Sequence, residues 1–155
     1  SVPIDPAFPR LLDLCRQRGY RFAIVSDGLR WYINYILARY GIYGLTVYAN
    51  EIYFEPQGIR LAFPWYSADA PLRGVSKKSI IRRYQADGCK VVFIGDGLSD
   101  IDAVQVADVL YANDDLLAYC RKHGIPAIEF SDLSDVLAKW VYGLPSAVSA
   151  VSESE

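Results

Sequence analysis

Apolar positions recur along this chain in two alternating rhythms, one helical and one made of short uninterrupted runs, and the alternation itself predicts an architecture. Phe8, Leu11, Leu12 and Cys15 fall at i, i+3, i+4 and i+7, with Pro6 suited to a first turn and Gly19 to a C-terminal cap, so residues 6–18 read as an amphipathic helix. Phe22-Ala23-Ile24-Val25 follows, a continuous run of the kind found where a parallel strand is buried on both faces. Ile33, Ile36, Leu37 and Tyr40 give a helix over 29–40 closed by Gly41, and residues 45–49 give another strand. Residues 51–54 and 59–63 flank Glu55-Pro56-Gln57-Gly58, which is turn chemistry between two β-rich runs and predicts a hairpin excursion at a sheet edge.

From residue 74 the alternation resumes, with a helix at 77–86, strand 90–94, a short helix near 99–106, strand 109–111, helix 114–122, strand 125–128 and helix 132–141. Repeated strand–helix alternation predicts the α/β class, a doubly wound, Rossmann-like and mostly parallel sheet. Gly143-Leu144-Pro145 stops the last helix and the stretch beyond is small and polar, so the expected organisation is one core domain over residues 1–142 with a flexible tail at 143–155.

Composition narrows the function classes. With 52% apolar and 22% charged residues in 155, the chain can bury a single core, and a formal charge of -2 gives no field for binding nucleic acid. No apolar run approaches the ~20 residues of a spanning helix, so no membrane partner is expected. Cys15, Cys89 and Cys120 are widely spaced and form no Cys-x-x-Cys pair, which fits buried thiols in a reducing cytoplasm rather than a zinc site or disulfide framework. His123, in Cys-Arg-Lys-His-Gly, reads as a helix C-terminus. The chain opens on Ser1 without a Met or a leader, so a processed or excised product is expected.

In open α/β sheets ligands sit outside the carboxyl ends of the strands, which singles out three places. Ser26-Asp27-Gly28 ends the 22–25 run and offers a hydroxyl and backbone amides to an anion. Gly95-Asp96-Gly97-Leu98-Ser99-Asp100 ends the 91–94 run and puts two carboxylates in one glycine-bearing loop, a plausible seat for Mg²⁺. Between them, Ser76 reads as an N-cap, followed by Lys77 and Lys78; a lysine in the first turn works against the helix dipole and needs a reason. Each has a plainer reading, as a helix cap, a solvated basic face or turn chemistry. Together, anion donors, a cation and acidic residues are what a phosphoryl-transfer site needs.

FAIVSDG, GVSKKSII and VVFIGDGLSD resemble the second, third and fourth motifs of the haloacid dehalogenase-like hydrolases. The hairpin YANEIYFEPQGIRLAF and the continuation DIDAVQVADVLYA resemble the branch holding phosphoserine phosphatase and the enol-phosphate phosphatase of methionine salvage. The resemblance implies a Mg²⁺-dependent phosphatase of small phosphorylated metabolites working through a phosphoaspartate. In it Ser26 and Lys77 are catalytic, Ser26, Asp27, Gly28 and Lys77 bind the phosphate, and Asp96 holds the metal with Asp100 in support; Lys78 is the fallback for Lys77.

The family's first motif, an Asp-x-Asp that supplies the nucleophile, has no match ahead of Ser26: Asp5 lies in Pro-Ile-Asp-Pro with no strand before it. The chain is therefore read as the C-terminal part of a phosphatase core, alone inactive, with the cap absent as well. The strand carrying that motif would sit between those ending at Ser26 and Asp96. Its place is expected to be filled by an N-terminal segment, by a second chain, or by direct pairing of the two flanking strands. The competing reading is a non-catalytic binding or assembly module that keeps the fold. A signalling receiver domain fits less well, because there the lysine follows the aspartates. Of the 21 aromatic residues, eleven lie between Trp31 and Tyr66, more than one helix and hairpin would normally bury, so part of that surface is expected either to be ordinary tyrosine-rich exterior or to pack on a partner.

Overall fold

A computed structural model describes residues 4–69, 73–143 and 148–152. The predicted alternation is there. Helix α1 (Phe8–Gln17) begins two residues later than the sequence pattern suggests, so its first-turn proline is Pro9 and not Pro6, which lies in the turn ahead of it. A missing amide there costs no hydrogen bond, and the helix buries Phe8, Leu11, Leu12 and Cys15. Strand β1 (Arg21–Leu29) leads to α2 (Arg30–Arg39) and to β2 (Thr46–Glu55), which turns into β3 (Gly58–Ala62). Then come α3 (Lys77–Ala86), β4 (Lys90–Gly95), a 3-10 turn at Leu98–Asp100 running into α4 (Ile101–Val104), β5 (Val109–Ala112), α5 (Asp114–Lys122), β6 (Ile128–Glu129), α6 (Leu133–Gly143) and β7 (Val148–Ser152).

The seven strands line up as β3-β2-β1-β7-β4-β5-β6, all parallel except the β2–β3 hairpin at one edge. Helices cover both faces. Ala23, Val25, Val91, Phe93, Leu110 and Ala112 pack on Ile80, Ile81, Tyr84, Leu116, Leu117 and Cys120 from α3 and α5. Residues of opposite parity, Val92, Ile94 and Tyr111, meet Leu11, Cys15, Val136 and Trp140 from α1 and α6, while Ile24, Val47 and Ala49 meet Phe8, Leu12, Ile33 and Leu37. Two-sided burial is what an uninterrupted apolar run signals.

Three further details differ from the sequence pattern. Residues 45–49 and 51–54 are one strand, because β2 does not break at Asn50 but changes partner, pairing with β1 up to Leu29↔Asn50 and with β3 from Glu51↔Ala62. The predicted strand at 125–128 shrinks to Ile128–Glu129, since an edge position needs only brief pairing to β5. The third concerns the central slot. Residues 148–152, expected to fray, form β7, parallel to β1 from Arg21↔Ser149 to Ile24↔Ser152 and to β4 from Lys90↔Val148 to Ile94↔Ser152. The expectation of a foreign strand or direct re-pairing there is thereby corrected: a segment of this chain satisfies both inner edges, whose buried amides and carbonyls would otherwise each cost about 1–3 kcal/mol.

Among the described residues no helix is long and apolar enough to cross a membrane. Cys15 and Cys120 are buried, Cys89 is half-buried, and all three are free thiols. Burial pushes the Cys15 thiol up to about 12. His123 is the C-cap of α5, as its flanking residues predict.

Candidate functional site

The carboxyl ends of β1 and β4 carry all the predicted residues but Lys77, which opens α3, and β7 runs between the two strands. Between Val25↔Tyr48 and Leu29↔Asn50, four steps of β1 are matched by two of β2, so Ser26, Asp27 and Gly28 form a bulge at the strand end. Bulges re-aim side chains beside functional sites. The N-cap of α2 is Leu29, with no side-chain capping hydrogen bond, so neither Ser26 nor Asp27 serves as its cap. Ser26 is buried, and its Oγ accepts the Gly28 N–H at 3.0 Å, which leaves the hydroxyl proton for an acceptor such as a phosphate oxygen. Asp27 Oδ1 accepts the Val75 N–H at 3.2 Å, tying this bulge to the segment before α3.

Lys77 supplies the reason its position demanded. Ser76 caps α3 by accepting the Ser79 N–H at 3.2 Å, and the next side chain, Lys77, is 0% exposed. Its ammonium donates to Asp100 Oδ1 at 2.7 Å and lies within 3.1 Å of Ser99 O and 3.3 Å of Ser99 Oγ, with Asp27 Oδ2 at 3.7 Å. Asp100 is equally buried, and its Oδ2 accepts the Asp96 and Gly97 N–H groups at 3.1 and 3.2 Å. A Cβ on Gly95 would stand 2.5 Å from that oxygen, so the glycine is what lets the carboxylate approach the strand end. Lys78 takes another part: its backbone N–H donates to Asp102 Oδ2 at 3.0 Å, a carboxylate cap on the first turn of α3. Burial pushes the Asp102 carboxyl above the ordinary aspartate range, against the smaller opposing effects of that hydrogen bond and of Lys77.

Of the six predicted site residues, Asp27, Lys77 and Asp100 are thus joined by ion pairs, Ser26 and Gly28 by the bulge, and Asp96 sits exposed at the mouth of the same loop. Asp100, predicted to support the metal, holds the Asp96 loop in shape from behind with both oxygens engaged. Among the described residues no three His, Cys, Asp or Glu side chains converge to cage a metal. Mg²⁺ needs less, often one or two carboxylates with phosphate oxygens and waters completing its octahedron, and the exposed Asp96 carboxylate fits a site of that open kind.

Sequence reasoning missed Asn50 and Ser99. Asn50 is buried and donates from Nδ2 to the Asp27 carbonyl at 2.7 Å, while its Oδ1 has no hydrogen-bond partner among the described residues. Gly74 makes room for it, since a Cβ there would lie 2.6 Å from Asn50 Nδ2. The available signal was an amide at the very end of an apolar strand run.

The sequence pattern of the haloacid dehalogenase-like hydrolases matches residues 2–105. A protein named 2-hydroxy-3-keto-5-methylthiopentenyl-1-phosphate phosphatase, from Exiguobacterium sibiricum, is 34% identical over 137 residues, covering 86% of this chain and 62% of the relative. The bifunctional enzyme MtnB/MtnX of Bacillus licheniformis is 33% identical over 135 residues, 84% of this chain and 31% of its own length. Pdp3-interacting factor 1 of Schizosaccharomyces pombe is 28% identical over 149 residues, 88% and 62% respectively. The chain therefore spans less than two thirds of each of these relatives.

Proposed function

This chain belongs to the haloacid dehalogenase-like hydrolases, and we propose that it forms the phosphate-binding part of a Mg²⁺-dependent phosphomonoesterase acting on a phosphorylated methionine-salvage intermediate. The observation that carries the reading is the buried lysine: Lys77 is held by Asp100 at 2.7 Å within the same cluster as the Ser26 bulge and the Asp96 loop, at the carboxyl ends of two parallel strands.

The contacts support a role for each residue. Ser26 is fixed by the Gly28 amide and donates its hydroxyl hydrogen to one phosphate oxygen. Lys77 sets a buried positive charge beside the phosphate site, and its pairing with Asp100 fixes where that charge stands. Asp27 and Asn50 keep the bulge seated against the start of α3. Asp96 is the chain's ligand for Mg²⁺, which when bound neutralises charge on the transferring phosphoryl group. The family's nucleophile is an aspartate in an Asp-x-Asp, and no such pair precedes Ser26 here. The 155-residue chain by itself is thus expected to bind phosphate and turn nothing over.

Phosphate release from 2-hydroxy-3-keto-5-methylthiopentenyl-1-phosphate and a panel of small phosphomonoesters, measured with Mg²⁺ on the protein that contains this chain, is the test. Hydrolysis that collapses in Ser26→Ala supports the proposal. No hydrolysis of any ester overturns it and leaves the assembly-module reading, toward which a relative named as an interacting factor leans.

A further inference from the structure

The bulge that would grip the phosphate is followed at once, along the chain, by an aromatic ledge. Trp31 is the second residue of α2, three positions after Gly28, and it is 55% exposed. Two contacts clamp β2 to this corner: Asn50 Nδ2 on the Asp27 carbonyl at 2.7 Å, and Arg30 Nε on Glu51 Oε1 at 2.6 Å. Past Asn50, β2 has no pairing to β1 and runs on with β3 alone, beyond the carboxyl edge of the parallel sheet. That projection brings Phe54, 63% exposed, edge-on to Trp31 with ring centroids 5.6 Å apart, while Tyr35 stacks on Trp31 at 6.3 Å. The neighbouring ring, Tyr53, has the Arg60 guanidinium 4.2 Å above its centroid.

Single exposed aromatics need no explanation, but three linked through Trp31 beyond the carboxyl edge of the sheet do. We infer that Trp31 and Phe54 form the subsite for the apolar end of the phosphorylated substrate, selecting phosphomonoesters whose carbon chain ends in a thioether or a short alkyl group. The inference rests on the phosphatase reading and adds to it the residues that read the substrate's far end. The place of both rings, on the helix that follows the Ser26 bulge and on the part of β2 past its pairing with β1, argues for a ligand chain rather than a protein partner: a molecule anchored by its phosphate at that bulge has its tail at the same carboxyl edge of the sheet. A thioether suits such a place, because divalent sulfur makes favourable contacts with the edges of aromatic rings and water offers it little in exchange.

The test uses the 155-residue chain and three probes: inorganic phosphate, glycerol 3-phosphate, and 4-methylthiobutyl phosphate. Their binding is followed by NMR on the Trp31 indole N–H and on the amides of residues 26–28. The thioether ester is expected to bind about tenfold more tightly than glycerol 3-phosphate and to move the Trp31 indole resonance, as a small apolar group in an apolar site would. In Trp31→Ser with Phe54→Ser that preference should vanish while the affinity for inorganic phosphate holds, which also shows the variant to be folded. A preference that survives in the double variant, or no preference in the parent, overturns the inference and leaves the ledge to a protein partner. If inorganic phosphate does not perturb residues 26–28 at all, the phosphatase reading fails and this inference falls with it; phosphate binding without tail discrimination sinks the inference alone.

Discussion

Replacing Lys77 by methionine should destabilise the fold severely, and this can be worked from its surroundings. Methionine keeps the length of the stem and opens no large cavity, so the cost is electrostatic. The ammonium and the Asp100 carboxylate are both 0% exposed and 2.7 Å apart. At an effective dielectric constant of about 20 that separation corresponds to ~6 kcal/mol of attraction, of which desolvation of the two ions cancels a large part. Deleting one partner leaves the other charge buried and uncompensated, which typically costs about 3–5 kcal/mol. Against a domain stability of ~5–15 kcal/mol, this is between a fifth and all of the total.

Urea unfolding followed by the fluorescence of fully buried Trp140 measures the loss. The companion variant Asp100→Asn keeps an acceptor for the Asp96 and Gly97 amides while removing the charge. The double variant should therefore lose about 1–3 kcal/mol less than the sum of the singles, the signature of a coupled pair. Lys78→Ala should change stability by no more than about 0.5 kcal/mol, its side chain being only half-buried. A Lys77→Met cost below about 1 kcal/mol, or strict additivity in the cycle, would refute the reasoning. The same arithmetic bears on catalysis: activity lost in a Lys77 variant reports on phosphate binding only after correction for the folded fraction.

Three further outcomes are expected. Asp102 has its folded carboxyl raised by burial, so it favours the native state when protonated; that contribution is complete below the unfolded aspartate value and is lost as pH rises through the higher folded value. Stability measured from pH 3 upward should show this decline in the parent chain and lack it in Asp102→Asn, and parallel curves would exclude Asp102 as its source. Ending the chain at Gly143 removes β7 and strips both inner edges of the sheet, so the shortened chain should show no cooperative urea transition; a midpoint equal to that of the full chain would mean β7 contributes nothing. Iodoacetamide under native conditions should alkylate half-buried Cys89 first and leave Cys15, with its thiol at about 12, unmodified until unfolding; mass mapping of the adducts decides.

Much of this fold is legible in the sequence because most of its parallel strands are buried on both faces and write themselves as continuous apolar runs. Phe22–Val25 and Val91–Ile94 are such runs, and the topology of an open α/β sheet singles out the residues just after them as site candidates. β7 was missed for the complementary reason. Val-Ser-Ala-Val-Ser looks like a polar tail, and its role as a strand comes from two waiting edges rather than from its own composition. Lys77 and Asp100 were both singled out, but a spacing of Asp-x-x-x-Asp cannot say which carboxylate faces out. Burial decides: Asp100 turns inward to neutralise the lysine, and Asp96 remains at the mouth.

The seam between the two halves of the sheet is where structure and proposed chemistry depend on one another. Ser26 and Asp27 belong to the β1 side; Asp96 and Asp100 follow β4; among the described strands only β7 hydrogen-bonds to both. One set of contacts crosses the seam above it, Lys77 reaching Asp100 and Asp27 from α3, while the Val75 amide ties the segment before α3 to Asp27 on the β1 side. A change in the strand that occupies the slot would shift β1 relative to β4, and the Lys77 ammonium, pinned at 2.7 Å to Asp100, would have to follow the β4 side. The 3.7 Å separation from Asp27 is the looser of its two carboxylate contacts and would open first. The geometry of any phosphate held jointly by Ser26 and Lys77 is thus set by the backbone that fills the centre of the sheet, although neither side chain lies on it.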